Sequence, residues 1–149
     1  MGERGTMAKP SDLIAQGTRV GDHRPWPRAI VGPAAWSAAI DHLALGQWTL
    51  LSLWGEATAV HMAVRPEPSG EAAGEIAVLS LDCPTGAFPS VAVRHSPAQR
   101  LERAIGDLFG LQATGAPDTR PWLDHGRWGV RAPLGAGAKS APSGAPYDF

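Results

Sequence analysis

Residues 47–65 read QWTLLSLWGEATAVHMAVR. The first part, 47–54, is apolar on both alternating faces, the pattern of a strand in the middle of a sheet. In 57–65, Val60, Met62 and Val64 fall on one face and Ala59, His61 and Ala63 on the other, which predicts a second strand. His61 is thereby expected on the less apolar side, at the surface. Gly55–Glu56 between the two runs suits a tight hairpin turn, with glycine supplying a positive φ. The polar stretch PEPSGEAAG, 66–74, reads as a long loop leading to a third strand, EIAVLSLDC, 75–83.

Helical signals flank these strands. PAAWSAAIDHLALG, 33–46, opens on Pro33, closes on Gly46 and repeats Ala35, Trp36, Ala39, Ile40 and Leu43 at helical spacing. His42 sits beside that stripe and is expected to be solvated or capping. FPSVAV, 88–93, is a fourth extended piece that Pro89 restricts to an edge or a crossing segment. A second helix follows. Ser96 is its expected N-cap, Pro97 its first position and Gln99 the partner in a capping box; Gly110 ends it after Phe109.

Leu101, Ala104, Ile105 and Leu108 form the expected buried stripe of this helix, with Phe109 at its margin. Glu102 and Asp107 lie roughly 140° apart around the axis, so they do not converge as a general acid and base. Arg103 and Asp107, four residues apart, are placed to pair. Gly106 costs a helix about 1 kcal/mol relative to alanine. It reads equally as a point where another backbone comes close or as a tolerated surface glycine. Beyond Gly110, Pro117, Asp118, Thr119 and Arg120 make a turn, and Pro121 holds Arg120 extended. Trp122 and Trp128 punctuate an extended strap, residue types expected at a protein interface or folded back over the domain's own sheet.

The element order predicts an α+β class: a small, mainly antiparallel or mixed sheet with helices packed on one side and an extended C-terminal strap. The expected organisation is a flexible N-terminal arm over 1–30, an α+β domain over 31–112, the strap over 113–134 and a Gly/Pro/Ala-rich linker or tail over 135–149. The 149 residues carry 18 glycines, 14 prolines and six tryptophans, so the globular part is smaller than the chain.

A formal net charge of −1 gives no bulk attraction to nucleic acid or anionic lipid. The first 17 residues lack the apolar run of a secretory signal, and the longest apolar run is too short to span a bilayer. The expected setting is cytoplasmic. Single Cys83 and histidines at 23, 42, 61, 95 and 125 show no metal-ligand spacing. GAGAKSAPSG, 135–144, lacks the spacing of a phosphate loop, and there is no G-x-S-x-G. One alternative is a small enzyme using Glu102 or Asp124–His125 as base. A stand-alone binding module using the Trp-rich strap is the other alternative.

Leu101-Glu102-Arg103, Asp107-Leu108-Phe109-Gly110-Leu111, Gly115, Pro117-Asp118, Arg120, Trp128 and Pro133-Leu134 resemble one family, as does the Pro89-Ser90 crossing segment. It is the 30 kDa subunit family of respiratory NADH:quinone oxidoreductase, complex I, which includes the related N-terminal domain of membrane-bound nickel–iron hydrogenase large subunits of the formate hydrogenlyase type. Ala104, where the family usually has glutamate, is similar to the hydrogenase-type relatives; Ala116 replaces the family's usual histidine. The resemblance implies a non-catalytic structural or assembly subunit of a membrane-associated oxidoreductase. It implies no cofactor, no metal and no catalytic residues of its own. Its implied partner is the large hydrogenase-like or complex I subunit, with the membrane reached only through the complex, on the cytoplasmic side. Glu102, Arg103, Asp107, Phe109, Gly110, Pro117, Asp118, Arg120, Trp122 and Trp128 would carry the family motif and the docking contact.

Overall fold

The structure, a computed structural model, describes residues 9–67, 75–137 and 139–140. The polar loop expected over 66–74 lies, from residue 68, outside the described residues, as does most of the Gly/Pro/Ala-rich tail. The chain divides into two compact units. The first comprises Met1–Ser52 and His61–Asp82, the second Leu53–Val60 and Cys83–Phe149.

In the first unit, residues 10–30 are not the arm their polarity suggests. They contain helix α1 (Pro10–Gln16) and strands β1 (Thr18–Arg19) and β2 (Arg28–Ile30). Pro10 opens α1, and Asp12 Oδ2 accepts the Lys9 N–H at 2.9 Å. Leu13 and Ile14 give it a buried face. Gly17 follows because a Cβ there would come within 2.5 Å of the Ile30 carbonyl oxygen. Helix α2 (Pro33–Ala44) buries Trp36, Ala39, Ile40 and Leu43, the stripe its spacing predicts.

Strands β3 (Trp48–Glu56), β4 (Ala59–Pro66) and β5 (Ala77–Asp82) complete a mixed five-stranded sheet of order β1-β2-β5-β4-β3. β1 runs antiparallel to β2, and β2 runs parallel to β5 with Ala29 opposite Leu79. β3 is therefore an edge strand, not a central one. Its Leu51 is 45 % exposed, whereas Ala77–Leu81 of β5 is buried throughout. Apolar residues on both faces thus did not distinguish the edge from the middle.

His61 is also relocated. It is 1 % exposed, with Nδ1 2.7 Å from Ser80 Oγ, and Ser80 Oγ accepts the Arg28 Nε–H at 2.7 Å. This polar chain ties β4, β5 and β2 together on the face assigned to solvent. His42 stacks on Trp48 with ring centroids 4.3 Å apart and hydrogen-bonds Gln47 Oε1 at 2.6 Å, so it is partly packed.

In the second unit, the hairpin turn falls at residues 57–58, two residues later than Gly55–Glu56. Gly55 lies inside β3 instead. A Cβ there would stand 3.0 Å from Phe109 Cδ2 and 3.2 Å from Ile105 Cγ2. Strand β6 (Ala87–Pro89) pairs in parallel with β7 (Gln112–Thr114), and helix α3 (Gln99–Phe109) makes the crossover between them. A 3-10 turn over Ser96–Ala98 precedes α3, whose N-cap is Ala98 with no side-chain cap; the expected Ser96 capping box is displaced by that tighter turn. Gly110 ends α3 at φ +74°, and its N–H bonds the Gly106 carbonyl at 2.9 Å. The stretch expected as a strap contributes β7 and then β8 (Val130–Arg131), which pairs antiparallel with β9 (Lys139–Ser140). Phe88, Val91, Ile105 and Leu111 are buried, each such side chain contributing about 1.5–3 kcal/mol.

Candidate functional site

The acids of α3 face in different directions, as the helical angle requires. Glu102 points inward and is 5 % exposed. Its Oε1 accepts the N–H groups of Val91 at 2.5 Å and Ala92 at 2.7 Å, and Ser90 Oγ–H donates to Oε2 at 2.8 Å. Ser90 Oγ in turn accepts the Val93 N–H at 3.1 Å. Burial raises the Glu102 pKa, and the bonds from Ala92, Ser90 and Val91 oppose that rise. Glu102 takes the buried place expected for Leu101, which is 36 % exposed. The reason is local: the turn after β6 presents main-chain N–H groups that need an acceptor.

Asp107 faces the other way. Its Oδ2 accepts the N–H groups of Trp122 at 2.7 Å, Leu123 at 2.6 Å and Asp124 at 3.1 Å. Arg103 does not turn to Asp107. Its Nε donates to the Arg120 carbonyl at 2.6 Å and Nη2 to the Pro121 carbonyl at 2.8 Å, while Nη1 stands 3.5 Å from Asp118 Oδ2. One helix residue thus holds the carbonyls of the turn and another holds its N–H groups.

Asp118 and Arg120 form a two-point pair. Arg120 Nη2 donates to Oδ2 at 2.7 Å and Nε to Oδ1 at 3.0 Å. The Arg120 hydrogen bonds hold the Asp118 carboxyl well below the usual carboxylate range, and Asp118 raises the guanidinium in return. The Trp122 ring lies under two cations, with Arg100 Cζ 4.9 Å and Arg103 Cζ 5.1 Å from its centroid.

Other predicted residues are placed as follows. Phe109 packs toward Gly55, and the Leu134 N–H bonds the Leu108 carbonyl at 2.9 Å. Pro117 is exposed and Trp128 half-buried. Asp124 Oδ1 accepts the Gly126 N–H at 2.8 Å, and the neighbouring His125 is exposed. At Gly106 an added Cβ would meet only the Leu111 carbonyl oxygen at 3.6 Å, an ordinary contact, so no close backbone demands glycine there. A cleft of about 610 Å³ between α3 and the strap is lined by Arg103, Asp107, Asp118, Asp124 and Arg131 among others. Among the described residues no group of three His, Cys, Asp or Glu side chains is placed to hold a metal ion, and no helix is long and apolar enough to cross a membrane.

Sequence reasoning singled out Glu102, Arg103, Asp107, Asp118 and Arg120; the structure brings the last four together at the helix-to-strap corner, while Glu102 turns to the 90–92 segment on the other side of α3. It missed Ser90 as a partner of Glu102 and Arg100 as a partner of Trp122. The Pro89-Ser90 crossing segment was the available signal for the first. Chemically, the corner's carboxylates act as acceptors for main-chain and guanidinium donors.

The chain matches the family described as "Respiratory-chain NADH dehydrogenase, 30 Kd subunit" over residues 56–141, more than half its length, and belongs to that family. Among solved structures it is similar in fold to a trypsin-resistant fragment of Nqo5, at a TM-score of 0.58 and 19% identity, covering 72% of this chain and 94% of that one. It is also similar to a chain of the membrane-bound sulfane sulfur reductase, an archaeal respiratory membrane complex, at a TM-score of 0.50 and 12% identity, covering 76% and 73%. No curated protein matches the sequence.

Proposed function

We propose that this chain is a non-catalytic structural and assembly subunit or domain of a membrane-associated energy-converting oxidoreductase, and that it docks on the large hydrogenase-like or complex I subunit. The observation that carries the reading is the corner itself. Glu102, Asp107 and Asp118 are committed to fixing the chain, so their lone pairs hold a shape rather than serve a substrate. Membership of the 30 kDa family supports the same reading. The docking surface is the outer side of the corner, with Arg120, Trp122 and Trp128 in contact. Membrane attachment comes through the complex, on the cytoplasmic side, and the chain carries no cofactor.

The test is purification of the tagged, full-length protein from its own host after mild detergent extraction. Recovery of a hydrogenase-like large subunit in stoichiometric yield is the expected result. Recovery of the protein alone, with no such subunit encoded beside it, overturns the reading.

A further inference from the structure

We infer that the face formed by Arg100, Arg103, Arg120 and Trp122 receives an acidic segment of the partner protein, whose carboxylates take the outward edges of the Arg100 and Arg120 guanidiniums. This rests on the docking reading above and gives it a chemistry.

The corner has its negative charge turned inward. Glu102 is buried on the Val91 and Ala92 N–H groups, Asp107 holds three N–H groups, Asp118 lies against Arg120 and Arg103, and Asp124 binds the Gly126 N–H. The positive charge is left outside. The Arg120 side chain is 79 % exposed even while paired with Asp118. Among the described residues no carboxylate pairs with Arg100; its guanidinium rests on the Trp122 ring.

The placement of Arg100 opposes what the helix alone would favour. It lies in the first turn of α3, where the helix dipole favours anions, and α3 has no basic residue in its last turn. A partner's carboxylate at Arg100 would relieve that arrangement. Trp122 is held in advance: its N–H is fixed by Asp107, and the carbonyls of the two preceding residues are fixed by Arg103. It stays 40 % exposed, with Leu101 and Leu123 also 36 % and 39 % exposed. A rigid, part-exposed tryptophan flanked by arginines is the composition of an interface anchor. Arginine edges read carboxylates through two parallel hydrogen bonds.

The test uses the full chain in its host complex. The R100K variant keeps the charge and supplies an amine. Treatment of the extracted complex with a carbodiimide joins that amine to an adjacent carboxylate as an amide, with the water lost being taken up as the urea. Mass spectrometry then reads the joined peptides. The expected result is a link from position 100 to an Asp or Glu of the large subunit. With it, R100E should weaken retention of that subunit about tenfold, while R19E, which alters an exposed arginine of β1 away from the corner, leaves it unchanged. An intact complex with no link from position 100, and R100E retained like the native chain, overturns the proposal and leaves docking standing. Absence of the complex with the native chain overturns docking itself. Sedimentation of the native chain with phosphatidylcholine–phosphatidylglycerol vesicles, lost in R100E, makes the patch a lipid surface and equally overturns the proposal.

Discussion

Asp107 Oδ2 lies 2.6 Å from the Leu123 backbone nitrogen, and the same oxygen takes the N–H groups of Trp122 and Asp124. Three successive N–H groups converge on one carboxylate atom, an anion nest filled by the protein's own helix. The relationship fixes a turn with almost no regular secondary structure to the end of α3. Substituting Asp107→Ala leaves three donors without their charged acceptor. We expect a loss of about 1–3 kcal/mol in denaturant unfolding. Amide exchange at 122–124 should accelerate well before the core of α3 responds, and unchanged exchange there would show that the turn holds itself.

Glu102 gives a prediction in pH. Its carboxyl is raised by burial, so the folded state binds its proton more tightly than the unfolded chain does. Stability from this group is therefore greatest below the ordinary carboxylate value and declines as pH rises through the raised one. Glu102→Gln removes the titration while keeping the bonds: the amide oxygen can take the Val91 and Ala92 N–H groups, and the amide nitrogen can donate to Ser90 Oγ. The stability of the native chain relative to E102Q should fall as pH rises from the ordinary carboxylate range through the raised value. A pH-independent difference between the two melting curves counts against this assignment. Glu102→Ala, which strands both N–H groups, should cost about 2–4 kcal/mol at neutral pH.

Gly55→Val tests the packing inside the second unit. The added side chain would push on Phe109 Cδ2 and Ile105 Cγ2. Overpacking of this kind costs about 1–3 kcal/mol, read as a lowered unfolding midpoint with an unchanged denaturant slope. A neutral outcome would mean that α3 shifts away freely.

Ser80→Ala removes the hydroxyl that Arg28 and His61 share on the sheet. Two polar groups then lose a partner in a buried site. Destabilisation of about 1–3 kcal/mol is expected, against well under 1 kcal/mol for the same change at exposed Ser37.

The long elements were legible in the sequence because their signals are local. Pro33 and the Trp36–Leu43 spacing mark α2, Gly110 marks the end of α3, and alternation marks β4. The strands of residues 18–30 were not legible, since two- and three-residue strands are too short to show a period. β2 exists because β5 offers it a parallel edge, a relation between residues some fifty positions apart. His61 was misplaced because alternation sorts faces without saying whether both are covered. At the corner, helical geometry separated Glu102 from Asp107 correctly. What each acid binds was hidden, because the donors come from residues 90–92 and 122–124, and nothing within α3 announces them.

Docking through the helix-to-strap corner is best tested by hydrogen–deuterium exchange on the full chain, alone and within the complex extracted from its host. Added protection in the complex is expected over 99–103 and 118–124, with less change along α1 and α2. Protection confined to other segments, with 118–124 exchanging equally in both states, would contradict docking at this corner.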